Sequence, residues 1–391
     1  MTTLVFHLGD RKAGSTSIQQ ALAQKRWTCA AVNLTYPHGG KLSHIGLARS
    51  LTAPIDQRRA AEAMQDILRQ IESNPSDVAV VSAEDFEDVD PKVLKAALQT
   101  HMPGLLAQAR FIAYVRPHAD RLPSTYAERM KSGHFMGTME AQLRRLAEQG
   151  SFIYMPRFQA WRQVFGPAFE LRPMMRDLLY RRDVVADFLK FALGTEDFTM
   201  KDGPDANEAL SVENLAVVRQ LQMRLKGDAA RPYAYQAAIG RSLARRMNAT
   251  EFAAGTKLSI HRDLAEAVRK QYAADAAALD AAFFQGTPMT DALNGAAAKA
   301  VEVAQSMRIE DHFSAREQYL INLWVDQTAA LLTTNPERSA VILRAEHRNA
   351  VIADDTPVAK PAPKSKPSGA AKAGRAAKRP GAGRAKGPAQ G

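Results

Sequence analysis

At 391 residues the chain has room for two domains, or for one large α/β domain with extra helices. Its apolar fraction of 46% and charged fraction of 24% are ordinary for a soluble globular protein, and 7% aromatics gives no sign of an aromatic-rich stacking surface. The net charge of +11 is local: residues 356–391 hold nine Lys and Arg and no Asp or Glu, leaving about +2 elsewhere, so no strongly basic folded face is expected. Cys29 is the single cysteine, which excludes a disulfide within the chain and suits a reducing compartment. No run approaches the ~18 apolar residues of a membrane helix. The N-terminal apolar stretch is too short for a secretory signal, so a cytoplasmic location is expected.

In chain order, residues 3–8 read as a strand that stops at Gly9. A helix follows, with Ser15 and Thr16 as candidate caps and Ile18 and Leu22 on one face. Ala60, Met64, Ile67 and Ile71 recur at helical spacing over 57–71. Residues 77–82 (DVAVVS) read as a fully buried strand, 110–115 (RFIAYV) as a third, and 169–172 as a weaker fourth. Strands separated by helices of about ten residues or more predict crossover connections, hence an α/β fold with a parallel central sheet flanked by helices. The polar stretch 195–209 reads as a connector. From Ser211 the signals are helical. Leu215, Val218, Leu221 and Leu225 form one stripe; Leu264, Val268, Tyr272, Leu279 and Phe283 form another; a third long helix over 313–332 has Trp324 on its apolar side. From Thr356 the low-complexity Ala/Lys/Pro/Gly/Arg sequence is expected to be disordered. The expected organisation is an α/β domain over 1–200, an all-helical C-terminal region over 205–350 and a basic tail over 356–391.

The segment HLGDRKAGSTSIQ, from His7 to Gln19, carries the strongest chemical signal. A strand ends, a glycine-bracketed turn follows and a helix begins, where unpaired N–H groups and the helix dipole favour an anion. Gly14 allows close backbone approach, Ser15, Thr16 and Ser17 offer hydroxyls, and Lys12 brings charge with Arg11 beside it. The order Lys-x-Gly-Ser-Thr differs from the Walker A loop, in which Gly-Lys-[Ser/Thr] closes the motif. A second segment, YVRPHADRLPSTY, sets Arg116 at a strand end and Ser124 about two turns into the next helix, a guanidinium fork and a hydroxyl that can share a phosphate. Glu84 follows the strand 77–82 in SAEDF. Lys12, Glu84 and Arg116 thus all lie past the C-terminal ends of expected parallel strands, the edge at which open α/β sheets bind ligands.

Both motifs resemble those of sulfotransferases that use 3′-phosphoadenosine-5′-phosphosulfate (PAPS), the bacterial sulfotransferase-like group in particular. HLGDRKAGSTSIQ is similar to that family's 5′-phosphosulfate loop and YVRPHADRLPSTY to its 3′-phosphate motif, with echoes in SAEDF, MKSG (130–133) and WRQVFG (161–166). The likeness covers roughly the first two hundred residues and continues weakly to Phe284. It implies a P-loop NTPase-like fold that does not hydrolyse nucleotides, with PAPS as co-substrate and no metal. Lys12 would stabilise charge on the leaving phosphate oxygen. Gly14, Ser15, Thr16 and Ser17 would hold the 5′-phosphate, and Arg116 and Ser124 the 3′-phosphate. The base would be Glu84 or His44. His7 is expected to pack at the strand end and His118 to start a helix. The sequence departs from the family at Ala13, Asp10 and Arg11; Asp10 sets negative charge near an anion site unless Arg11 or Arg121 neutralises it.

Two other readings stay open. One is a P-loop-like kinase or NTPase with Glu84 and Asp85 as an acidic magnesium site. The other is a catalytically inactive sulfotransferase-like protein whose basic tail contacts nucleic acid or anionic surfaces. The acceptor, a carbohydrate, lipid or small-molecule alcohol or amine, is not legible in the sequence.

Overall fold

The computed structural model describes residues 2–201, 209–226, 234–250 and 255–352. The short apolar runs pair there as the sequence implies: β1 (Thr3–His7), β3 (Leu34–Thr35), β4 (Val78–Ser82), β5 (Arg110–Val115) and β6 (Phe169–Pro173) form one sheet in the order β3-β4-β1-β5-β6, every pairing parallel. The two-residue strands β2 (Trp27–Thr28) and β7 (Thr199–Met200) pair antiparallel in a separate ladder. Thr199 and Met200 fall within the stretch expected as a connector, the rest of which lies partly outside the described residues.

Side chains alternate between two cores because successive residues of a strand face opposite ways. Leu4, Phe6, Val81, Phe111, Ala113 and Val115 enter one cluster; Val5, Val80, Ile112 and Tyr114 enter the other. Helices α1 (Ser15–Ala23) and α9 (Val184–Leu193) cover the second face through Ile18, Leu22, Phe188 and Leu189. The first face is covered by α2 (Ile45–Ser50), α3 (Gln57–Ser73), α4 (Pro91–His101), α6 (His118–Lys131), α7 (Met139–Glu148) and α8 (Met155–Phe165), with the single turn α5 (Pro103–Leu106) at its edge. A parallel sheet sheathed on both sides explains why its strands read as near-continuous apolar runs.

The C-terminal helices are α10 (Val212–Lys226), α11 (Ala234–Asn248), α12 (Arg262–Phe283), α13 (Pro288–Asn294), α14 (Ala315–Thr334) and α15 (Pro336–Ile352). Leu264, Val268, Tyr272 and Leu279 of α12 join the sheet's own core. Along α10, Leu215 and Val218 pack on Tyr126 and Met130 of α6, while Leu221 and Leu225 pack on Val325 and Ala329 of α14. Two local expectations are corrected. Helix α14 begins at Ala315 because Ser314 and Glu317 form a reciprocal capping box, and it buries Val325 and Ala329, turning Trp324 outward at 39% exposure. Helix α1 is capped by Gly14, in a left-handed conformation, with no side-chain cap bond. Among the described residues no helix is long and apolar enough to cross a membrane. The tail 356–391 lies outside them.

Candidate active site at the end of the sheet

Past β1 the backbone crosses the strand-end of β4, and a Cβ on Gly9 would lie 3.1 Å from Glu84 Cα and its carbonyl oxygen. Only glycine tolerates that approach together with its φ of +90°. Lys12 is left-handed too, at φ +66°, a conformation that costs a non-glycine residue on the order of 1 kcal/mol and clusters at functional sites. The turn is held from below. The Asp10 carboxylate is buried and receives Arg157 through two bonds of 2.5 and 2.7 Å and Arg121 at 3.0 Å. Burial pushes the Asp10 pKa up, and the two guanidiniums pull against it. The charge is thus neutralised by Arg121 and Arg157, not by Arg11. The Asp10 carbonyl accepts the Ala13 N–H at 3.2 Å and the Ser15 hydroxyl at 3.1 Å.

Helix α1 then leaves its first donors open. Its first internal bond runs from Ile18 N–H to the Gly14 carbonyl, so the N–H groups of Ser15, Thr16 and Ser17 have no helical acceptor. Thr16 and Ser17 are half-buried at this end, whereas the Ser15 hydroxyl is buried and already donates to Asp10. Arg116, just past β5, donates from Nη1 to the Lys12 carbonyl at 3.3 Å across 104 residues of sequence. The two motifs therefore meet. Ser124 and Glu128 stand four residues apart on one face of α6. Lys12 Nζ lies 3.3 Å from Glu128 Oε2, and Lys131 Nζ lies 2.8 Å from the same oxygen. Burial opposes ionisation of Glu128, but Lys131 and Lys12 outweigh it and bring its pKa down to about 2.

The turn 84–88 carries four carboxylates, three of them tied to arginines. Asp85 takes Arg49 at 2.6 Å and Arg11 at 3.0 Å, Asp88 takes Arg11 at 2.5 Å, and Glu87 takes Arg121 at 2.5 Å. Glu84 forms no hydrogen bond or ion pair among the described residues; burial and the neighbouring Asp85 push its pKa up, against Arg11 and Lys12. Arg11, expected beside the anion, is instead held by Asp85 and Asp88, which corrects that expectation.

His44 is corrected as well. Its Nδ1 accepts the Ser82 N–H at 3.1 Å, its Nε2 donates to the Pro37 carbonyl at 3.0 Å, and burial lowers its pKa to about 4. With both nitrogens committed to backbone, the ring braces β4 and has no lone pair left for an acceptor proton. His7 packs at the strand end, bonded to the Ser82 hydroxyl at 2.8 Å. His118 starts α6 and bonds Asp275 of α12 at 3.0 Å; Asp275 also accepts the N–H groups of Tyr154 and Met155, and the Tyr154 hydroxyl donates to the Arg116 carbonyl at 3.2 Å. The C-terminal helices thus buttress the Arg116 turn. Sequence reasoning missed Arg157 and Glu128, and reached Lys131 only as part of the MKSG segment. Glu128 had a local signal in its four-residue spacing from Ser124; Arg157 had none.

Topology favours this same end of the sheet for a ligand. The chain leaves β1 through α1 on one face of the sheet and leaves the adjacent β5 through α6 on the other, so the strand ends open between them. Two surface hollows lie elsewhere, one beside Thr2, Ile71 and His101 at the opposite end of β1, the other beside Lys25, Tyr36, His38 and Asn74.

No family model matches this chain, and no curated protein does. Among solved structures it is similar to a sulfotransferase from Alicyclobacillus acidocaldarius, with 14% identity and a TM-score of 0.43, the alignment covering 73% of this chain and 97% of that one. A likeness that distant carries no argument about activity.

Proposed function

We propose that this chain is a sulfotransferase that moves the sulfo group of PAPS to an acceptor hydroxyl or amine. The observation that supports the reading is the bond between Arg116 and the Lys12 carbonyl, which brings into contact the two segments, far apart in sequence, that are read as phosphate-binding. The N–H groups and hydroxyls of Thr16 and Ser17, with the N–H groups of Gly14 and Ser15, suit one phosphate. Arg116 and Ser124 suit a second. The donor supplies an activated sulfo group. As the acceptor–sulfur bond forms and the sulfur–oxygen bond to the leaving phosphate breaks, Glu84 takes the acceptor proton and Lys12 offsets charge growing on the phosphate oxygen. Glu84 suits this role because it alone among the carboxylates of its turn has no ion-pair partner among the described residues, and burial and Asp85 push its pKa up. The kinase or NTPase alternative is disfavoured, since both Asp85 oxygens are engaged by Arg11 and Arg49, which leaves Asp85 unavailable to share magnesium with Glu84.

The test compares thermal stabilisation by adenosine 3′,5′-bisphosphate with that by ATP–magnesium, followed by transfer of labelled sulfo groups to a panel of alcohols and amines. Stabilisation by the bisphosphate and label on an acceptor are expected. Stabilisation by ATP–magnesium alone would reject the assignment.

A further inference from the structure

The contact that sets Lys12 in place is a carboxylate bridging two ammoniums. Glu128 Oε2 lies 3.3 Å from Lys12 Nζ and 2.8 Å from Lys131 Nζ, and the Lys12, Lys131 and Glu128 side chains are 30%, 21% and 36% exposed. An anion entering the α1 turn must compete with Glu128 for Lys12. Had Lys12 been its sole partner, its departure would leave a half-buried carboxylate with no ion-pair partner, which is unfavourable. Lys131 removes that obstacle. It sits one helical turn from Glu128 on α6 and makes the shorter contact, so it can keep the carboxylate paired without Lys12. The Lys131 carbonyl is itself fixed, accepting a bond of 2.6 Å from Gln222 of α10. Gly240 of α11 packs so closely there that a Cβ would meet that carbonyl at 1.8 Å.

We infer that Glu128 is a positioning residue that holds Lys12 beside the anion site, and that Lys131 is its standby counter-ion, allowing Glu128 to release Lys12 when an anionic ligand arrives. The inference builds on the proposed function only in taking the Lys12 turn as the anion site. It has a sign pattern that neither a structural role nor a simple basic patch shares. Removing the Glu128 charge frees Lys12, so anion binding should tighten. Removing the Lys131 charge leaves Lys12 as the only ion-pair partner of Glu128, with Arg241 of α11 acting on it through space alone, so binding should weaken. Removing both should restore the tight state.

The experiment measures dissociation constants of pyrophosphate and of adenosine 3′,5′-bisphosphate by calorimetry. It uses the full chain as wild type, Glu128→Gln, Lys131→Met and the double variant, with Lys12→Met as the background that removes the effect. Glu128→Gln should bind both ligands about three- to five-fold more tightly, the scale of one partly exposed ion pair, and should raise kcat/KM through KM. Lys131→Met should weaken binding only where Glu128 is present. Unchanged or weaker binding by a folded Glu128→Gln protein overturns the proposal. So does an equal loss from Lys131→Met in both backgrounds, which would make Lys131 an ordinary ligand contact. If Glu128→Gln does not fold, Glu128→Asp against Lys131→Met carries the same comparison: Glu128→Asp, whose shorter side chain weakens its hold on Lys12, should bind pyrophosphate more tightly, and weaker or equal binding overturns the proposal. Pyrophosphate following the pattern while the bisphosphate fails to bind would sink the PAPS reading and leave this one standing. Failure of both ligands to bind any variant would sink both.

Discussion

On the proposed reading Lys12 and Arg116 serve different phosphates of one donor, so their loss should register in different kinetic constants. In the proposed mechanism Lys12 acts where charge grows during transfer, and Lys12→Ala should lower kcat by about 10²–10³-fold. Arg116 acts in the ground state as well, so Arg116→Ala should raise the donor KM about ten-fold or more with kcat largely kept. Steady-state kinetics with varied donor separates the two; equal kcat for Lys12→Ala and wild type would contradict the assigned role. Glu84 gives a pH signature. Its pKa is raised by burial and by Asp85, and a base works only when ionised. Activity should therefore rise with pH through a pKa above the ordinary carboxylate value and then level off. Glu84→Gln should lose about 10²–10⁴-fold and the rising limb with it. Persistence of that limb in the variant would move the base elsewhere.

The turn between β1 and α1 is built on Asp10, whose three guanidinium bonds come from α6 and α8. Asp10→Asn leaves Arg121 and Arg157 short of a counter-charge in a buried place, and should cost about 3–5 kcal/mol of stability. Urea unfolding measures it, and a loss under about 1 kcal/mol would mean that the network is dispensable. Elements differ in how far the sequence announced them. β1, β4 and β5 stood out because a strand covered on both faces must be apolar throughout, and residues 110–115 were bounded correctly. Two-residue strands such as β2 and β7 show no period at all. The α1 cap was misassigned because Ser15 resembles a cap residue, while Gly14 takes the position through its backbone and the Ser15 hydroxyl turns back to Asp10. Trp324 was placed inward on its apolarity, although the helix face that meets α10 runs through Val325 and Ala329. In the site, Lys12, Glu84 and Arg116 were legible as charges at strand ends, since topology alone puts such residues on one rim. Arg157 was not, because it stands 147 residues from Asp10 and only tertiary packing brings them together.

Across the whole molecule the sheet end is wired to distant parts of the chain: His44 braces β4 from the 37–44 loop, His7 bonds Ser82 across two strands, and Asp275 brings α12 to the Arg116 turn. Two of its buried histidines, His7 and His44, make that architecture sensitive to acid. Burial lowers the His7 pKa to about 3 and the His44 pKa to about 4, whereas each returns to about 6.5 on unfolding. A depressed folded pKa means that the unfolded chain binds the proton first. The contribution is therefore fully present above about pH 6.5, falls as pH drops below that value, and is exhausted near pH 4 for His44 and pH 3 for His7. Each ring should contribute a slope approaching about 1.4 kcal/mol per pH unit inside its window. Urea midpoints at pH 7, 6 and 5 should fall for wild type. In His44→Gln, whose amide can still donate to the Pro37 carbonyl, they should fall less steeply by the equivalent of one proton. The comparison cancels the carboxylates that titrate in both proteins. Parallel slopes in the two proteins would mean that His44 already carries its proton in the folded state, and that its ring cannot be accepting the Ser82 N–H.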